Sequence, residues 1–379
     1  MKVAFSFLLV FCLCSVFAQK ASTPEIIRQA DLLIQDYQFD LAISVLDAAE
    51  DTLNSAVLQR SGFCYSKLGN YDDAIKSYEA IRRLDSLNRE SLYSLGQLYS
   101  SREQYDLARD CFQDLIELDS TNSFYYKQYA SVARKGNNVI GAISFYLKAV
   151  KLNTRDMEAY GHLAQILIEV EQYAFVDSLL TEVLSSVENN NLRLQLARAK
   201  LGQEEYDAVI RNVEQILETK DTTVTYARLM GISYFQLDQF EKVIPWMQFL
   251  LEAGAKADWI YYYLGVSYQQ QGDPENAIGY LNLAIEESIS DHIGTYYTQL
   301  ATAYEEIKDF GNAIRTYKIA YETSKTDILL YHLARNYDIY YKDKKQAQIY
   351  YKKYLDSDDT VQLAKKWSKQ RLDVLLGNQ

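Results

Sequence analysis

Apolar residues recur along this chain at spacings of three and four, which is the mark of helices that bury one stripe each. The stripes come in pairs, and the pairs repeat. Gly62, Tyr65, Tyr71, Ala74 and Tyr78 return as Gly96, Tyr99, Tyr105, Ala108 and Phe112, about 34 residues further on. A fixed period of that length predicts stacked helical hairpins. Each hairpin then buries its face against its neighbours, and the chain has no single globular core.

The second unit reads Leu58, Ser61, Gly62, Tyr65, Gly69, Tyr71, Ala74, Tyr78 and Ile81. The third reads Leu92, Leu95, Gly96, Tyr99, Tyr105, Ala108, Phe112 and Leu115. The same offsets run on through Tyr126, Ala130, Ala142 and Tyr146, then Tyr160, Ala164 and Tyr173. A weaker sixth unit holds Ala197, Tyr206 and Val209. Later units carry Gly231, Tyr234 and Met247, then Leu264, Gly265, Tyr268 and Ala277. The series closes with Leu300, Ala301, Tyr304, Ala313 and Tyr317, and with Leu333, Ala334, Tyr337, Ala347 and Tyr351. A first, degenerate unit opens at Thr23 and Pro24, with Thr23 as the expected cap and Pro24 at the first helical position.

This series resembles the tetratricopeptide repeat over about residues 22–360. The resemblance implies an all-α, right-handed superhelical solenoid of about ten hairpins. Residues 19–360 form the array, and Val361 to Leu376 forms a C-terminal capping helix within 361–379. That helix spaces Val361, Ala364, Trp367, Arg371, Leu372 and Leu375 as one apolar face among lysines, and a partner-binding helix is the alternative reading. Where the family favours proline between units this chain has Ser86, Ser120 and Thr154, which are expected to cap the next helix. Glycine or alanine on the first helix permits close approach of the second, and Tyr78 and Phe112 are expected to reach the following hairpin. Pro274 is expected to start a helix, and Pro245 to kink one. With the weak sixth unit nearby, 190–250 is the expected bend.

Composition narrows the function. The 379 residues include 33 tyrosines, only three prolines and 15 glycines, so few breakers interrupt the helices. The net charge of −12 and pI near 4.9 argue against nucleic acid as the main ligand, and against docking on anionic lipid. Acidity of this kind keeps a long exposed array soluble.

The N-terminus stands apart. Lys2 precedes an apolar run from Val3 to Phe17, and Val16, Phe17 and Ala18 lead to Gln19. This describes a secretory signal peptide over 1–18, cleaved after Ala18. A lipoprotein anchor at Cys12 or Cys14 is the rival reading, but Phe11 and Leu13 precede them where a small residue is usual. The run is too short to span a bilayer comfortably, so no integral membrane segment is expected after cleavage. Cys64 and Cys111 then remain, in different repeats, and read as buried free thiols. There is no Asn-X-Ser/Thr sequence, which with the signal favours a Gram-negative periplasm.

No catalytic, cofactor or metal constellation stands out. His162, His292 and His332 lie in distant units without ligand spacing, and Gly265, Val266 and Ser267 lack the second glycine of a nucleophile elbow. The resemblance implies a non-enzymatic scaffold that binds a protein segment in a concave groove lined by first helices. The family's groove offsets select Phe63 and Lys67, Tyr93 and Gln97, Lys127 and Arg134, Gln165, Arg198, Arg228, Tyr262 and Val266, and Arg335. The arginines suit two-pronged pairing with carboxylates, or serve as partners of the chain's own acids. Ile27 and Asp31 stand where a chaperone-tail clamp would need lysine and asparagine. Two other readings stay open: a glycan- or small-ligand-binding periplasmic protein, and a structural homo-oligomer.

Overall fold

The computed structural model describes residues 22–218, 222–288 and 292–377, so the signal-peptide reading and Cys12 and Cys14 lie outside the described residues. Twenty-one helices and no strand occur among them. The chain divides into two compact units, one ending at Val170 and the other beginning at Glu171.

In the first unit, α1 (Thr23–Gln35), α2 (Phe39–Leu46), α3 (Ser55–Lys67), α4 (Tyr71–Leu84), α5 (Arg89–Ser101), α6 (Tyr105–Leu118), α7 (Ser123–Lys135), α8 (Val139–Leu152) and α9 (Met157–Glu169) follow one another. Each packs on the next. In the second unit, α10 (Tyr173–Leu184), α11 (Asn190–Gly202), α12 (Tyr206–Leu217), α13 (Val224–Gln236), α14 (Phe240–Glu252) and α15 (Asp258–Gln270) lead to α16 (Pro274–Glu287), α17 (Ile293–Glu306), α18 (Phe310–Ser324), α19 (Ile328–Tyr340), α20 (Lys345–Leu355) and α21 (Gln362–Leu376). These too pack in succession. Residues 190–250, where the bend is expected, lie inside the second unit.

The hairpin contact follows from one small residue. A Cβ added at Gly62 would meet Tyr78 Cε2 at 2.8 Å, and one at Gly96 would meet Phe112 Cζ at 2.7 Å. The ring of the second helix thus lies directly on the glycine of its own hairpin. It also reaches the following hairpin, since Tyr78 and Phe112 share one core with Leu92, Leu95 and Val132. Burying rings and leucines of this size stabilises by roughly 1.5–3 kcal/mol each.

Turns within a hairpin need a left-handed residue. Gly69 and Gly272 supply it at φ 78°, while Glu103, Asn137, Glu204, Asp238 and Lys308 adopt the same region with side chains. The amide after that residue closes the helix end, as Gln104 N does on Tyr99 O at 2.8 Å.

Turns between hairpins use a different device. Asp51, Asp85, Asp119 and Asn153 accept from the amides of Leu53, Leu87, Thr121 and Arg155 at 3.0–3.1 Å. Three residues on, Asn54, Asn88, Asn122 and Asp156 cap the next helix. The expected caps Ser86, Ser120 and Thr154 therefore sit in the turn instead. They fall between an Asp or Asn that takes the turn amide and an Asn or Asp that takes the helix amide. At the first helix Ser22, not Thr23, occupies the cap position, which moves Pro24 one place inward.

Pro274 opens α16 behind the capping side chain of Asp273, as expected. Helix α14 runs on through Pro245. Cys64 and Cys111 are buried and free. Helix α21 packs on α20, but its buried stripe is Ala364, Ser368 and Leu372. Trp367 stays 40% exposed, because an i, i+4, i+8 stripe leaves it off its axis, and Val361, 46% exposed, precedes the helix as its cap.

Candidate partner-binding face

The first helix of each hairpin carries the residues singled out from sequence, and the two units treat them differently. In the first unit Phe63, 38% exposed, meets Phe39 edge-on at 6.1 Å, with Lys67 Nζ 5.2 Å from its ring centre. Tyr93 is half-buried against Phe112 and Phe124. Gln97 donates to Gln128 Oε1 at 2.7 Å, joining α5 to α7.

Lys127 and Arg134, the basic candidates of this unit, are already engaged. Lys127 Nζ lies 2.9 Å from Asp156 Oδ2 and 2.8 Å from Glu158 Oε2, with only 15% of its side chain exposed. Burial works against the ammonium, but hydrogen bonds to Glu158 and Asp156 outweigh it and hold the lysine above its ordinary pKa. The same bond holds Glu158 below the usual carboxylate range. Arg134 Nη2 pairs with Glu169 Oε1 at 2.7 Å. Arg60 binds Asp31 at 2.6 Å. These pairs tie α3 to α1 and α7 to α9, so Lys127 and Arg134 act as staples between repeats.

The second unit leaves its arginines otherwise. Among the described residues, Arg198 and Arg228 form no ion pair. Arg198 reaches Gln195 Oε1 at 3.5 Å, and the exposed Arg228 guanidinium lies 5.5 Å from the Trp259 ring centre. Lys200 by contrast is held by Asp177 at 2.7 Å and Glu205 at 2.8 Å.

Around Arg228 stands a shelf of rings, of which the repeat offsets single out Tyr262 alone. Phe235 stacks on Tyr263 at 3.9 Å, Trp259 meets Tyr263 edge-on at 5.5 Å, and Tyr262 stacks on Tyr296 at 4.8 Å. Burial pushes the Tyr262 and Tyr263 hydroxyls up from their ordinary pKa. The signal for this shelf was legible: Tyr261, Tyr262 and Tyr263 are consecutive on a helix, so all three cannot face one core. Only Tyr261 is buried.

Val266 is 7% exposed and belongs to the packing, not to an accessible face; its neighbour Gly265 already brings α15 close to α16. Gln165 is exposed on α9 and reaches Glu169. Arg335 covers the Tyr331 ring at 5.6 Å, beside His332, whose ring stacks on Tyr317 at 5.2 Å. Among the described residues no cluster of three or more His, Cys, Asp or Glu could hold a metal, and no helix is long and apolar enough to cross a membrane.

Comparison with known proteins identifies the repeat. A tetratricopeptide repeat family model matches residues 65–123, and another matches residues 260–288. A tetratricopeptide repeat protein of Parabacteroides merdae ATCC 43184 is 15% identical, with a TM-score of 0.46 over 66% of this chain and 98% of that one. YrrB, described as a tetratricopeptide protein with an unusual peptide-binding site, is 19% identical, with a TM-score of 0.42 over 47% of this chain and 92% of that one. The Cut9–Hcn1 structure aligns 92% of this chain with 90% of its own at 13% identity and a TM-score of 0.40. No curated protein matches the sequence. The chain is thus an all-α array of helical hairpins that carries tetratricopeptide repeats.

Proposed function

We propose that this protein is a non-enzymatic scaffold whose first-helix faces bind a segment of a protein partner. Tetratricopeptide repeats typically mediate protein–protein interaction, and the repeats at 65–123 and 260–288 support that reading. The observation that carries it is the ring shelf of α13, α15 and α17. Phe235, Trp259, Tyr262 and Tyr263 are all half-buried, so the hairpin packing does not cover them completely. Rigid aromatic surface of this kind is what peptide recognition uses as anchors.

The proposal extends to place. An apolar run behind Lys2 and the small residue Ala18 support export to the envelope, in the periplasm, with a partner from an envelope assembly. Fractionation of the native cell, with N-terminal sequencing of the recovered protein, tests this. A mature chain starting at Gln19 in the periplasmic fraction is expected, and an uncleaved cytosolic chain would overturn it.

Photo-crosslinking tests the face. A benzophenone amino acid replaces Phe63 or Tyr263 on first helices, and Lys148 or Leu283 on second helices. Capture of one partner from the first-helix positions alone is expected. Capture from the second-helix positions alone, or of a second copy of this chain from all four, would move the function to another surface or to self-assembly.

A further inference from the structure

Charge is segregated within the second unit. Helices α11 and α13 carry Arg193, Arg198, Lys200 and Arg228 and no acidic residue. The second helices beside them, α10, α12 and α14, carry Asp177, Glu182, Asp207, Glu214, Glu241 and Glu252 against Arg211 and Lys242 alone. A chain of net charge −12 has therefore kept its first helices basic at this point.

The cations of α11 and α13 also differ in use. Lys200 is spent on Asp177 and Glu205, and Arg193 reaches Gln215 of α12. Arg198 and Arg228 form no ion pair among the described residues, unlike Lys127 and Arg134 in the first unit. Arg228 instead lies over Trp259, at the edge of the Phe235–Tyr263 stack. Stacking on an aromatic ring leaves the guanidinium edge, with its forked donors, free to meet a carboxylate.

From this we infer that α11, α13 and α15 take an acidic peptide segment of the partner, with Arg198 and Arg228 each receiving a carboxylate and the ring shelf receiving an aromatic or apolar residue. The inference rests on the reading that first helices hold a partner segment, and names the chemistry of that segment. An extended strand rises about 3.3 Å per residue and turns alternate side chains to opposite faces, so carboxylates four residues apart share a face about 13 Å apart, within the combined reach of two arginine side chains on helices about 8–10 Å apart. The acidity of the rest of the chain does not forbid this. Its field is screened beyond about 8 Å at physiological salt.

The test is fluorescence anisotropy with the intact chain and three labelled probes. One is a peptide of about twelve residues with glutamates four apart around a central phenylalanine, in a Gly/Ser background. The second replaces each glutamate with glutamine. The third is a single-stranded oligonucleotide of about the same length. The acidic peptide is expected to bind at least about tenfold more tightly than the glutamine peptide, with the advantage falling as salt rises. The Arg198→Gln/Arg228→Gln variant is expected to lose about that factor, while Arg211→Gln/Lys242→Gln, which removes the same charge from second helices, keeps it. Matching thermal melts of both variants exclude unfolding as the cause.

Equal binding of the two peptides, abolished by Trp259→Ala, would overturn the acidic assignment and leave the first-helix reading standing. Equal loss in both double variants, or tighter binding of the oligonucleotide, would also overturn it, as a general charge effect. No binding of the acidic peptide below about 1 mM overturns it outright, and the crosslinking positions decide the first-helix reading separately.

Discussion

Arg371 grips Asp338 with two donors: Nε meets Oδ2 at 2.6 Å and Nη2 meets Oδ1 at 3.2 Å. Asp338 is only 6% exposed, and this pair joins the last helix, α21, to α19 across the end of the array. Lys365 adds a second latch by donating to the carbonyls of Tyr354, Leu355 and Ser357 at 2.6–3.1 Å. Arg371→Met removes the main partner of a buried carboxylate and leaves Lys344 at 3.5 Å as its remaining cation. The expected cost is about 1–3 kcal/mol, the lower part of the range for breaking a buried pair, because Arg371 itself is 37% exposed. In an array of nearest-neighbour contacts the loss is local. Hydrogen exchange should show α20 and α21 opening first, with α3–α6 unchanged.

The contact of Gly96 with Phe112 gives a sharper test. A Cβ at Gly96 would come within 2.8 Å of two ring atoms of a residue with 0% exposure. Gly96→Val forces the ring or α6 to move, at about 1–3 kcal/mol. Gly279 has nothing within 4 Å of an added Cβ, so Gly279→Ala should be neutral or stabilising by up to about 1 kcal/mol. Chemical denaturation of both variants checks the contrast.

Asn122 accepts from Phe124 N at 3.1 Å as the cap of α7. Asn122→Ala should cost about 1 kcal/mol. Ser120→Ala should leave the amides of the α7 start satisfied and cost less, since Tyr126 takes the Ser120 carbonyl, not its hydroxyl. Denaturant midpoints of the two variants separate the true cap from the residue that precedes it.

That pair of variants also locates what the sequence could and could not tell. The period made the hairpins legible, because glycine facing an aromatic is a demand of volume, and volume is written in residue type. Gly62 with Tyr78 and Gly96 with Phe112 are read this way. The caps are not legible, because serine, aspartate and asparagine all favour helix starts, and here Asp119 takes the turn amide of Thr121 and Asn122 the helix amide of Phe124, with Ser120 between them. The candidate face was legible only in part. Repeat offsets placed Lys127 and Arg228 on equivalent surfaces, but pairing depends on whether a carboxylate lies within reach. Asp156 and Glu158 reach Lys127 from 29 and 31 positions further on, and no local pattern announces that.

Cys64 and Cys111 predict a chemical signature. Burial pushes both thiols up to about 11. At pH 8 about one in a thousand is then the reactive thiolate. On the chain from Gln19 onward, a thiol-specific reagent should react slowly in native buffer and at once in denaturant, where the ordinary value near 8.5 returns. Rapid native labelling of either cysteine would contradict the packing of α3 or α6.

His332 predicts a loss of stability on mild acidification. Burial lowers its pKa, Arg335 lowers it further, and Glu305, 3.9 Å away, only partly offsets them. The unfolded chain, with an ordinary value near 6.5, therefore binds the proton first as pH falls. The stabilising contribution is present above about 6.5 and is lost as pH drops below it, toward the folded value. The carboxylates held low, such as Glu158 and Asp309, act only below the ordinary carboxylate range, so pH 5–7 isolates the imidazole. The denaturant midpoint should fall as the pH goes from 7.5 to 5.5. His332→Gln should be weaker at both pH values, because the stack on Tyr317 is lost, but its midpoint should no longer fall over that interval. If the variant keeps the same pH slope, protonation of His332 is not what destabilises α17–α19.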